Sequence, residues 1–492
     1  MTKPLNVAII GAGPAGIYAA DILAKSGLDV SIDLFERLPA PYGLVRYGVA
    51  PDHPRIKQII VALYRILQRG DIRLLGNVEV GLDVTIDELE ANYDAVIIAT
   101  GADRDAPLQI PGADLPQSYG AADFVSWYDG HPDYPRTWPL EAEKVAVIGV
   151  GNVALDVARM LAKHPEDLLP TEIPQNVFDG LAQNPIKEVH VFGRRGPAQV
   201  KFTPLELREL GKVPDVDVIV SEEDFDFDEG SEQALRGSNQ QRQVVKTLTQ
   251  YASVDPESQQ ASRRIYLHLF ESPDAIVADE DGNVAALRTE RTELAGDGSV
   301  RGTGVFTDWP VQAVYRAVGY YSSPIPGVPF DTARGIVPNV GGRVMEGAKT
   351  VPGLYATGWI KRGPVGLIGS TKSDAQETIS NLVEDADSLT SSGSPAAVLE
   401  LLEARGVPVT TWEGWEMLDQ YERALGEEYV VEAAADVEDL QRERVKVVSR
   451  EAMTAIARDG AEAAAGLDLI GTPGELDKPA ATERFDDFTG PK

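Results

Sequence analysis

The chain has 492 residues, of which 43% are hydrophobic, and it contains no cysteine. Its length and composition predict a soluble globular protein of two or three domains, and the lack of cysteine excludes structural disulfides, redox-active dithiols and cysteine-ligated iron–sulfur clusters. The formal net charge of −32, from 45 basic and 77 acidic residues, argues against nucleic acid or anionic membranes as partners.

The sequence also predicts a cytoplasmic location. No apolar stretch approaches the roughly 18 residues that a membrane-spanning helix needs. The first predicted strand starts at Leu5, which leaves no room for a targeting segment in front of it. We therefore expect neither a membrane segment nor a leader in this sequence.

A glycine fingerprint stands near the start of the chain. Gly11-Ala-Gly-Pro-Ala-Gly16 directly follows the apolar run 5–10, and Glu36 ends the next predicted strand. This strand–turn–helix pattern places a pyrophosphate against backbone N–H groups and the positive end of a helix. A carboxylate after the second strand suits a free ribose 2′-hydroxyl. The alternative is a glycine turn in an ordinary α/β sheet.

Two further elements complete this first region. A helix is predicted from Ile56 to Leu67, and the buried strand that starts at Tyr93 ends in Thr100-Gly101. Glycine at a strand end lets the backbone approach a ligand closely. We therefore expect Thr100 and Gly101 to lie at the same nucleotide site.

A second fingerprint, Gly149-Val-Gly-Asn-Val-Ala154, follows the apolar run 145–148. The next predicted strand, 189–192, runs into Arg194-Arg195, and paired arginines suit a ribose 2′-phosphate. One chain would thus hold an unphosphorylated dinucleotide and, separately, NADP. The economical interpretation is a flavoenzyme that passes electrons from NADPH through FAD. The segment 164–185 between helix and strand is predicted to be a long surface loop.

The middle of the chain carries two acidic features. Residues 221–230 are predicted to be an acidic surface run, and 279–283 a turn within an antiparallel excursion from 265 to 305. The turn partly resembles a calcium loop, but Val284 occupies the position where that loop needs glycine. We therefore predict no metal site.

The chain then returns to the first nucleotide region. The strand 353–358 leads to Trp359, and a tight turn follows at 363–366. Ser370 is predicted to cap a helix that reaches about Glu384. The N-terminus of that helix would place positive potential beside the pyrimidine edge of a flavin. Amphipathic helices are expected after Ser391, and the end of the chain is expected to be flexible.

These patterns predict an α/β fold with two Rossmann-like dinucleotide-binding domains, the NADP domain being inserted into the FAD domain. The predicted limits are 1–108 and 324–459 for the two parts of the FAD domain, 109–323 for the NADP domain, and 460–492 for a flexible C-terminal extension.

Four segments resemble the adrenodoxin-reductase-type ferredoxin–NADP⁺ reductases, a family that includes bacterial members. They are APYGLVRYGVAPDHP (40–54), GVGNVALDVAR (149–159), GRRGP (193–197) and ATGWIKRGPVG (356–366). Together they extend over most of residues 1–385, and their combination is highly specific. Coverage is weaker over 215–305 and over the last thirty or so residues.

The resemblance, together with the fingerprints, implies residues for each site. Residues expected at FAD are Gly11, Gly13, Pro14, Ala15, Gly16, Glu36, Arg37, Gly43, Leu44, Val45, Thr100, Gly101, Gly358, Trp359, Gly366, Leu367 and Ile368. Those expected at NADP(H) are Gly149, Gly151, Asn152, Val153, Arg194, Arg195 and Glu206. His53, Asp156 and Glu209 match residues that line the path near flavin and nicotinamide. From the residues alone, His53 could be structural, Trp359 could be core, and the others could be solvated helix positions.

The function implied is that of an FAD-dependent ferredoxin–NADP⁺ reductase, with hydride transfer between NADPH and flavin N5 and single-electron transfer to an iron–sulfur ferredoxin. A monomer or weak dimer is expected. Ferredoxins are usually acidic, so docking needs a local basic patch. The basic residues gather in two groups: Arg46, Arg55, Lys57, Arg65, Arg69 and Arg73, and Arg194, Arg195, Lys201, Arg208 and Lys212.

Three alternatives stay open. A flavin monooxygenase would share both dinucleotide folds. An electron-transfer subunit of a larger complex would act as a binding module. An NADPH diaphorase would use a quinone or flavodoxin as its acceptor.

Overall fold

The computed structural model describes residues 4–255, 258–366, 368–428 and 442–471. Most strands belong to two sheets, one entirely parallel and one parallel except for an antiparallel edge. The strands are β1 (Leu5–Ile10), β2 (Val30–Glu36), β3 (Ile72–Gly76), β4 (Ala95–Ile98), β5 (Arg104–Asp105), β6 (Ser118–Gly120), β7 (Lys144–Ile148), β8 (Glu188–Gly193), β9 (Val216–Val220), β10 (Arg263–Leu269), β11 (Glu271–Ala278), β12 (Val284–Leu294), β13 (Val300–Pro310), β14 (Ala313–Arg316), β15 (Tyr320–Tyr321), β16 (Asn339–Val340), β17 (Arg343–Glu346) and β18 (Lys349–Ala356).

Helices cover the faces of both sheets, as parallel strands require. They are α1 (Pro14–Ala24), α2 (Leu44–Tyr47), α3 (Pro54–Lys57), α4 (Ile59–Leu67), α5 (Ile86–Asn92), α6 (Ala121–Tyr128), α7 (Asn152–Ala162), α8 (Gln175–Ala182), α9 (Pro204–Leu210), α10 (Glu229–Gly237), α11 (Asn239–Ala252), α12 (Trp359–Arg362), α13 (Ile368–Asp385), α14 (Pro395–Ala404), α15 (Trp412–Glu428) and α16 (Arg450–Asp459). Among the residues with assigned positions, no helix combines the length and apolar character needed to cross a membrane.

The first sheet has seven strands in the order β16-β17-β18-β4-β1-β2-β3. β1 lies between β2 and β4 and pairs with both in parallel, and β18 pairs with β4 in parallel. The carboxyl ends of these strands therefore meet at one edge of the sheet, where ligands bind in open α/β folds. We call this sheet and the helices that cover it the first unit; it includes the C-terminal segment 442–471, whose Val447 and Met453 belong to its core.

The second sheet has six strands in the order β6-β14-β7-β8-β10-β9. β7 pairs in parallel with β8 and with β14. The second fingerprint follows β7 and the two arginines follow β8, so both lie at the same edge of this sheet. We call this sheet and the chain between β6 and β14 the second unit. The antiparallel pair β5–β15 joins the two stretches of chain that pass between the units. The predicted α/β fold with two Rossmann-like units is confirmed.

The prediction that residues 164–185 form a surface loop is wrong. It holds a 3₁₀ turn at Pro165–Leu168 and helix α8, and Leu168, Ile173, Val177 and Leu181 are buried in the core of the second unit. The frequent proline and asparagine residues correctly indicated breaks in the secondary structure of this segment. They did not reveal that the apolar residues between the breaks cover the sheet.

The acidic run is only partly a surface feature. Asp224 is buried, accepts a hydrogen bond from Leu269 N at 3.1 Å and pairs with Arg291 at 2.8 Å. The antiparallel excursion is also shorter at its start than predicted, because β10 pairs in parallel with β8 and β9. The three-stranded antiparallel sheet comprises β11, β12 and β13 and ends at Pro310.

Three predicted boundaries also change. The helix predicted over 56–67 is interrupted at Gln58, between α3 and α4, and α13 begins at Ile368 rather than Ser370. Residues 460–471 lie against the first unit, where Leu469 O accepts hydrogen bonds from Val448 N and Ser449 N. The rest of the predicted flexible extension, 472–492, lies outside the described residues.

Candidate active site

The first fingerprint forms a tight turn between β1 and α1. Gly11 has φ +105°, and a Cβ at this position would lie 2.7 Å from Ala99 O, so only glycine fits. Helix α1 begins at Pro14 and has no side-chain cap. Its first backbone N–H groups therefore remain available to an anion, as a pyrophosphate site requires.

Glu36 is fixed beside this turn at the end of β2. Its carboxylate is buried and accepts hydrogen bonds from Ala12 N at 2.9 Å and from Leu38 N at 3.1 Å. Burial raises the pKa of Glu36, and the two backbone donors oppose that shift. The carboxylate is thus held in one orientation at the sheet edge, where it could accept a ribose hydroxyl. The neighbouring Arg37 side chain is partly exposed and lies 3.9 Å from Asp103.

The other predicted FAD segments converge on the same edge. A Cβ on Gly43 would lie 3.2 Å from Gly13 Cα, and one on Gly358 would lie 2.6 Å from Ala15 Cβ. Thr100 and Gly101 follow β4, next to Gly11. Leu44 and Val45 continue from Gly43 as helix α2. Gly366 lies just before α13, Leu367 lies outside the described residues, and only the backbone of Ile368 is described.

Trp359 is half-buried, which favours a ligand-facing position over a core position. Its ring stacks on Tyr320, with ring centroids 6.3 Å apart at an angle of 25°. Asp374 fixes the preceding turn, because its carboxylate accepts hydrogen bonds from Gly358 N at 2.5 Å and Thr357 Oγ1 at 3.1 Å. The tryptophan is therefore presented beside the first fingerprint at a defined position.

The second fingerprint has the same construction. Gly149 has φ +138°, and a Cβ there would overlap Ala317 O at the end of β14. Helix α7 begins at Asn152 without a side-chain cap, and Val153 lies in its first turn. Asn152 Oδ1 accepts a hydrogen bond from Thr203 N at 2.8 Å, which ties this turn to the start of α9. A Cβ on Gly151 would meet no atom within 4 Å, so its surface is open to a ligand.

Arg194 and Arg195 are held through their backbone, not through their side chains. Arg194 O accepts a hydrogen bond from Thr292 Oγ1 at 2.8 Å, and Arg195 O accepts one from Phe270 N at 3.3 Å. Within the described ranges, neither guanidinium has an ion pair or side-chain hydrogen bond. Two unpaired cations on a fixed loop beside a nucleotide turn suit a phosphate group.

The three predicted catalytic residues meet at His53, which lies buried just before α3. His53 Nε2 lies 2.8 Å from Asp156 Oδ1 on α7, and His53 Nδ1 lies 2.8 Å from Glu209 Oε2 on α9. Glu206, which we predicted at the nucleotide, joins this cluster with its Oε2 3.0 Å from His53 Nε2. The cluster spans both units.

Sequence reasoning missed the cation behind this cluster. Buried Arg159 binds Asp52 with two nitrogens, at 2.7 and 2.9 Å, and its NH2 lies 2.6 Å from His53 Nε2. Lys163 Nζ adds a 2.8 Å contact to Asp52. The available signal was the helical spacing of Asp156 and Arg159 on the segment that carries the second fingerprint.

The cluster is built to keep a proton on His53. Burial and the nearby charge of Arg159 would lower the pKa of His53, but hydrogen bonds to Asp156 and Glu206 outweigh both and raise it to about 10. Burial also raises the pKa of Glu209, against the opposing charge of His53. The side chain of Glu209 is 26% exposed, so it connects the buried imidazole with solvent and can pass a proton between them.

The ligand atoms of His53, Glu206 and Glu209 lie within 4.8 Å of one another, a spacing that could hold a metal ion. The guanidinium of Arg159 contacts the same imidazole nitrogen and would repel a cation there. The prediction of no metal site remains a prediction.

Four of the six basic residues near the N-terminus are taken up by ion pairs, whereas Arg55 and Arg65 are exposed. Arg46 is buried in an ion pair with Glu422, the largely buried Lys57 pairs with Glu172, and Arg69 and Arg73 pair with Asp21 and Asp33. The second group differs, because Arg194, Lys201, Arg208 and Lys212 are exposed. In the part of the chain with assigned positions, no ion pair involves any of these four side chains.

Comparison with known proteins identifies the family. Residues 5–196 match the family described as pyridine nucleotide-disulphide oxidoreductase. The chain is 41% identical over 443 residues to NADPH-ferredoxin reductase FprA of Mycobacterium tuberculosis, which covers 86% of this chain and 95% of that protein. It is 40% identical over 442 residues to the mitochondrial NADPH:adrenodoxin oxidoreductase of Homo sapiens, covering 86% and 88%. The chain belongs to the adrenodoxin and ferredoxin reductase family.

A solved structure agrees with this assignment. Mycobacterium tuberculosis FprA in complex with NADPH superposes with a TM-score of 0.83 at 38% identity, over 92% of this chain and 100% of that chain. The resemblance predicted from four sequence segments is therefore confirmed.

Proposed function

We propose that the chain is an FAD-dependent ferredoxin–NADP⁺ reductase. The observation that carries the proposal is the contact between His53 of the first unit and Asp156 of the second. Asp156 lies on α7, the helix that follows the second fingerprint, so this contact joins the proposed NADP(H) helix to the first unit. The NADPH-dependent ferredoxin and adrenodoxin reductases that resemble this chain along most of its length support the same conclusion.

The residues present fit FAD in the first unit. The uncapped start of α1 suits its pyrophosphate and Glu36 suits its ribose. Among the described residues, the buried hydroxyl of Tyr128, on α6 of the second unit, has no hydrogen-bond partner and has Asp156 and Tyr320 as electrostatic neighbours, as expected where a ligand completes a site. FAD, when bound, accepts a hydride from NADPH and passes the electrons on one at a time.

The residues also fit NADP(H) in the second unit. The open surface of Gly151 and the uncapped start of α7 suit the pyrophosphate, and Arg194 and Arg195 suit the 2′-phosphate. Trp359 orients the ring system on the flavin side. His53, held protonated by its carboxylates, supplies a positive charge and a proton near the reacting rings. Hydride transfer itself needs no general base, so the cluster adjusts its rate.

The acceptor docks on the exposed basic residues of the second unit. Arg208 and Lys212 lie at α9 and its end, whereas Glu206 and Glu209 of the same helix face His53. An acidic ferredoxin bound here would approach the cluster from the solvent side. Although the net charge of the chain is −32, the local positive charge of these residues can attract an acidic electron carrier.

We also propose the domain limits, the location and the oligomeric state. The limits 1–108 and 109–323 follow the passage of the chain between the two units, and the third limit, 324–459, extends to residue 471 because residues 460–471 pack against the first unit. A cytoplasmic monomer or weak dimer fits the predicted partners.

The test is NADPH-driven reduction of cytochrome c by the purified flavoprotein, with and without an added [2Fe–2S] ferredoxin. We expect a large ferredoxin-dependent increase that falls when NADH replaces NADPH. Dye reduction without a ferredoxin effect would contradict the proposed acceptor and favour a diaphorase.

A further inference from the structure

Four charged groups meet between the two units; three of them are buried, and the side chain of Lys57 is 10% exposed. Glu172 Oε1 lies 2.5 Å from Lys57 Nζ and 2.8 Å from Lys446 Nζ. Asp129 Oδ1 lies 3.6 Å from each of the same two nitrogens. We call Lys57, Asp129, Glu172 and Lys446 the junction cluster. A further buried cation, Arg444, lies beside the cluster with its Nε 3.8 Å from Glu172 Oε2.

The junction cluster joins segments that are distant in sequence. Lys57 ends α3, and Lys446 lies in the C-terminal segment before α16; both belong to the first unit. Asp129 directly follows α6, and Glu172 precedes α8; both belong to the second unit. Every lysine–carboxylate contact in the cluster therefore crosses from one unit to the other.

Both lysines also hold helix α2 of the first unit. Lys446 Nζ donates to Arg46 O at 2.7 Å and to Asp129 O at 3.0 Å, and Lys57 Nζ donates to Val45 O at 3.4 Å. Helix α2 carries Leu44 and Val45, which are predicted to contact the flavin. The cluster thus connects the flavin-side helix directly to the second unit.

Glu172 is the shared anion of the cluster. Its pKa would be raised by burial, but Lys446 and Lys57 hold it well below its usual value, so it stays charged. Relative exposures of 5% for Glu172 and 1% each for Asp129 and Lys446 exclude water from these contacts. Rotating one unit against the other would break buried ion pairs without giving them water in return.

We propose that Glu172 is a positioning residue for hydride transfer, because it fixes the second unit against the flavin-side helix through Lys57 and Lys446. The inference rests on the proposed function. Hydride transfer requires the two rings within about 3–3.5 Å of each other, and each ring belongs to a different unit. A buried cluster that sets the approach of the units therefore sets this distance, although it touches neither ring.

Two measurements test the proposal on the holoenzyme. The first is anaerobic reduction of the bound flavin by NADPH in a stopped-flow instrument. We expect Glu172→Gln to slow this step at least about tenfold while the Kd for NADPH changes less than about twofold. The matched control is Glu166→Gln, an exposed glutamate of the same segment, which should leave both values unchanged.

The second measurement follows the units without any chemistry. Because the chain has no cysteine, spin labels can be attached at Glu90→Cys on α5 and Gln250→Cys on α11, both exposed. Double electron–electron resonance spectroscopy should give one narrow distribution of label–label distances in the parent protein. With Glu172→Gln this distribution should become broader or shift. The charge-balanced variant Glu172→Gln/Lys57→Gln serves if the single variant fails to fold, and it should show the same broadening.

An unchanged distance distribution, or unchanged flavin reduction with only a lower unfolding temperature, would overturn the proposal and leave Glu172 a purely structural role. Failure of the proposed function would look different. In that case NADPH would not reduce the flavin of the parent protein, while the distance measurement would still report on the junction cluster.

Discussion

His53 Nε2 and Asp156 Oδ1 lie 2.8 Å apart, although one residue belongs to the first unit and the other to the second. His53 sits between helices α2 and α3 of the flavin side, and Asp156 sits on α7, which the second fingerprint opens. The contact therefore depends on the relative position of the two units, and with it on the relative position of the two proposed nucleotide sites. It also gives the site a buried imidazolium with a defined set of carboxylate partners.

His53→Ala should slow NADPH-dependent turnover by about tenfold, or about 1.4 kcal/mol in the barrier, while FAD stays bound. The reason is that His53 contributes charge and a proton, whereas the flavin is held by the fingerprint and by Glu36. The measurement is steady-state turnover together with the flavin-to-protein absorbance ratio of the purified variant. Loss of FAD from the variant would assign His53 to cofactor binding instead.

The contribution of His53 to stability should depend on pH with a definite sign. Its pKa is raised from an ordinary value of 6.5 to about 10 in the folded chain. The stabilisation is therefore fully present below about pH 6.5 and is lost as the pH rises through about 10. The thermal unfolding midpoints of the parent and His53→Gln should converge as the pH rises over this window. A difference that grows with pH would contradict the protonated state.

The double variant Arg194→Ala/Arg195→Ala should weaken NADPH binding far more than NADH binding. Two charge-assisted contacts to the 2′-phosphate are lost, each worth roughly 1.5–3 kcal/mol. Titration with both nucleotides measures the two Kd values. Equal weakening of NADPH and NADH would show that these arginines do not recognise the 2′-phosphate.

The two glycines of the second fingerprint should respond differently to alanine. Gly149→Ala should lower the unfolding midpoint, because its φ of +138° and its close approach to Ala317 O leave no room for a Cβ. Gly151→Ala should leave the midpoint unchanged but raise the KM for NADPH, because only the ligand approaches that surface. Gly237→Ala, whose Cβ would also meet nothing within 4 Å, is the control. An unchanged KM in Gly151→Ala would place the nucleotide elsewhere.

Charge reversal at Arg208 should impair the reaction with ferredoxin alone. Arg208→Glu places a negative charge on the exposed side of α9, so the KM for an acidic ferredoxin should rise, most strongly at low salt. Direct NADPH-dependent dye reduction should not change. The matched control is Arg334→Glu, an exposed arginine outside the second sheet. A similar effect of both variants would argue against docking at α9.

Much of the fold and of the nucleotide sites could be predicted because their signals are local. A fingerprint such as Gly11–Gly16 combines a turn, a strand end and a helix start within a few residues, so its position in the sheet follows from the sequence. Glu36 and Arg194 could be placed for the same reason, since each ends a predicted strand.

The rest depends on contacts between distant segments, which one sequence does not reveal. Glu172 lies in a stretch that composition predicted to be a surface loop, and its partner Lys446 is far along the chain. Arg159 behind His53 and the pairing of Arg46 with Glu422 are hidden in the same way. Arg46 and Lys57 do not belong to a basic patch, because each forms an ion pair with a glutamate. The sequence shows that both residues are basic, but it does not show these partners.

The most direct test of the central claim is a single-turnover experiment in the absence of oxygen. The flavoprotein is first reduced with one equivalent of NADPH and then mixed with oxidised [2Fe–2S] ferredoxin. We predict that NADPH bleaches the flavin and that its absorbance returns as two ferredoxin molecules are reduced for each flavin. A flavin that NADPH reduces but that leaves ferredoxin oxidised would contradict the account.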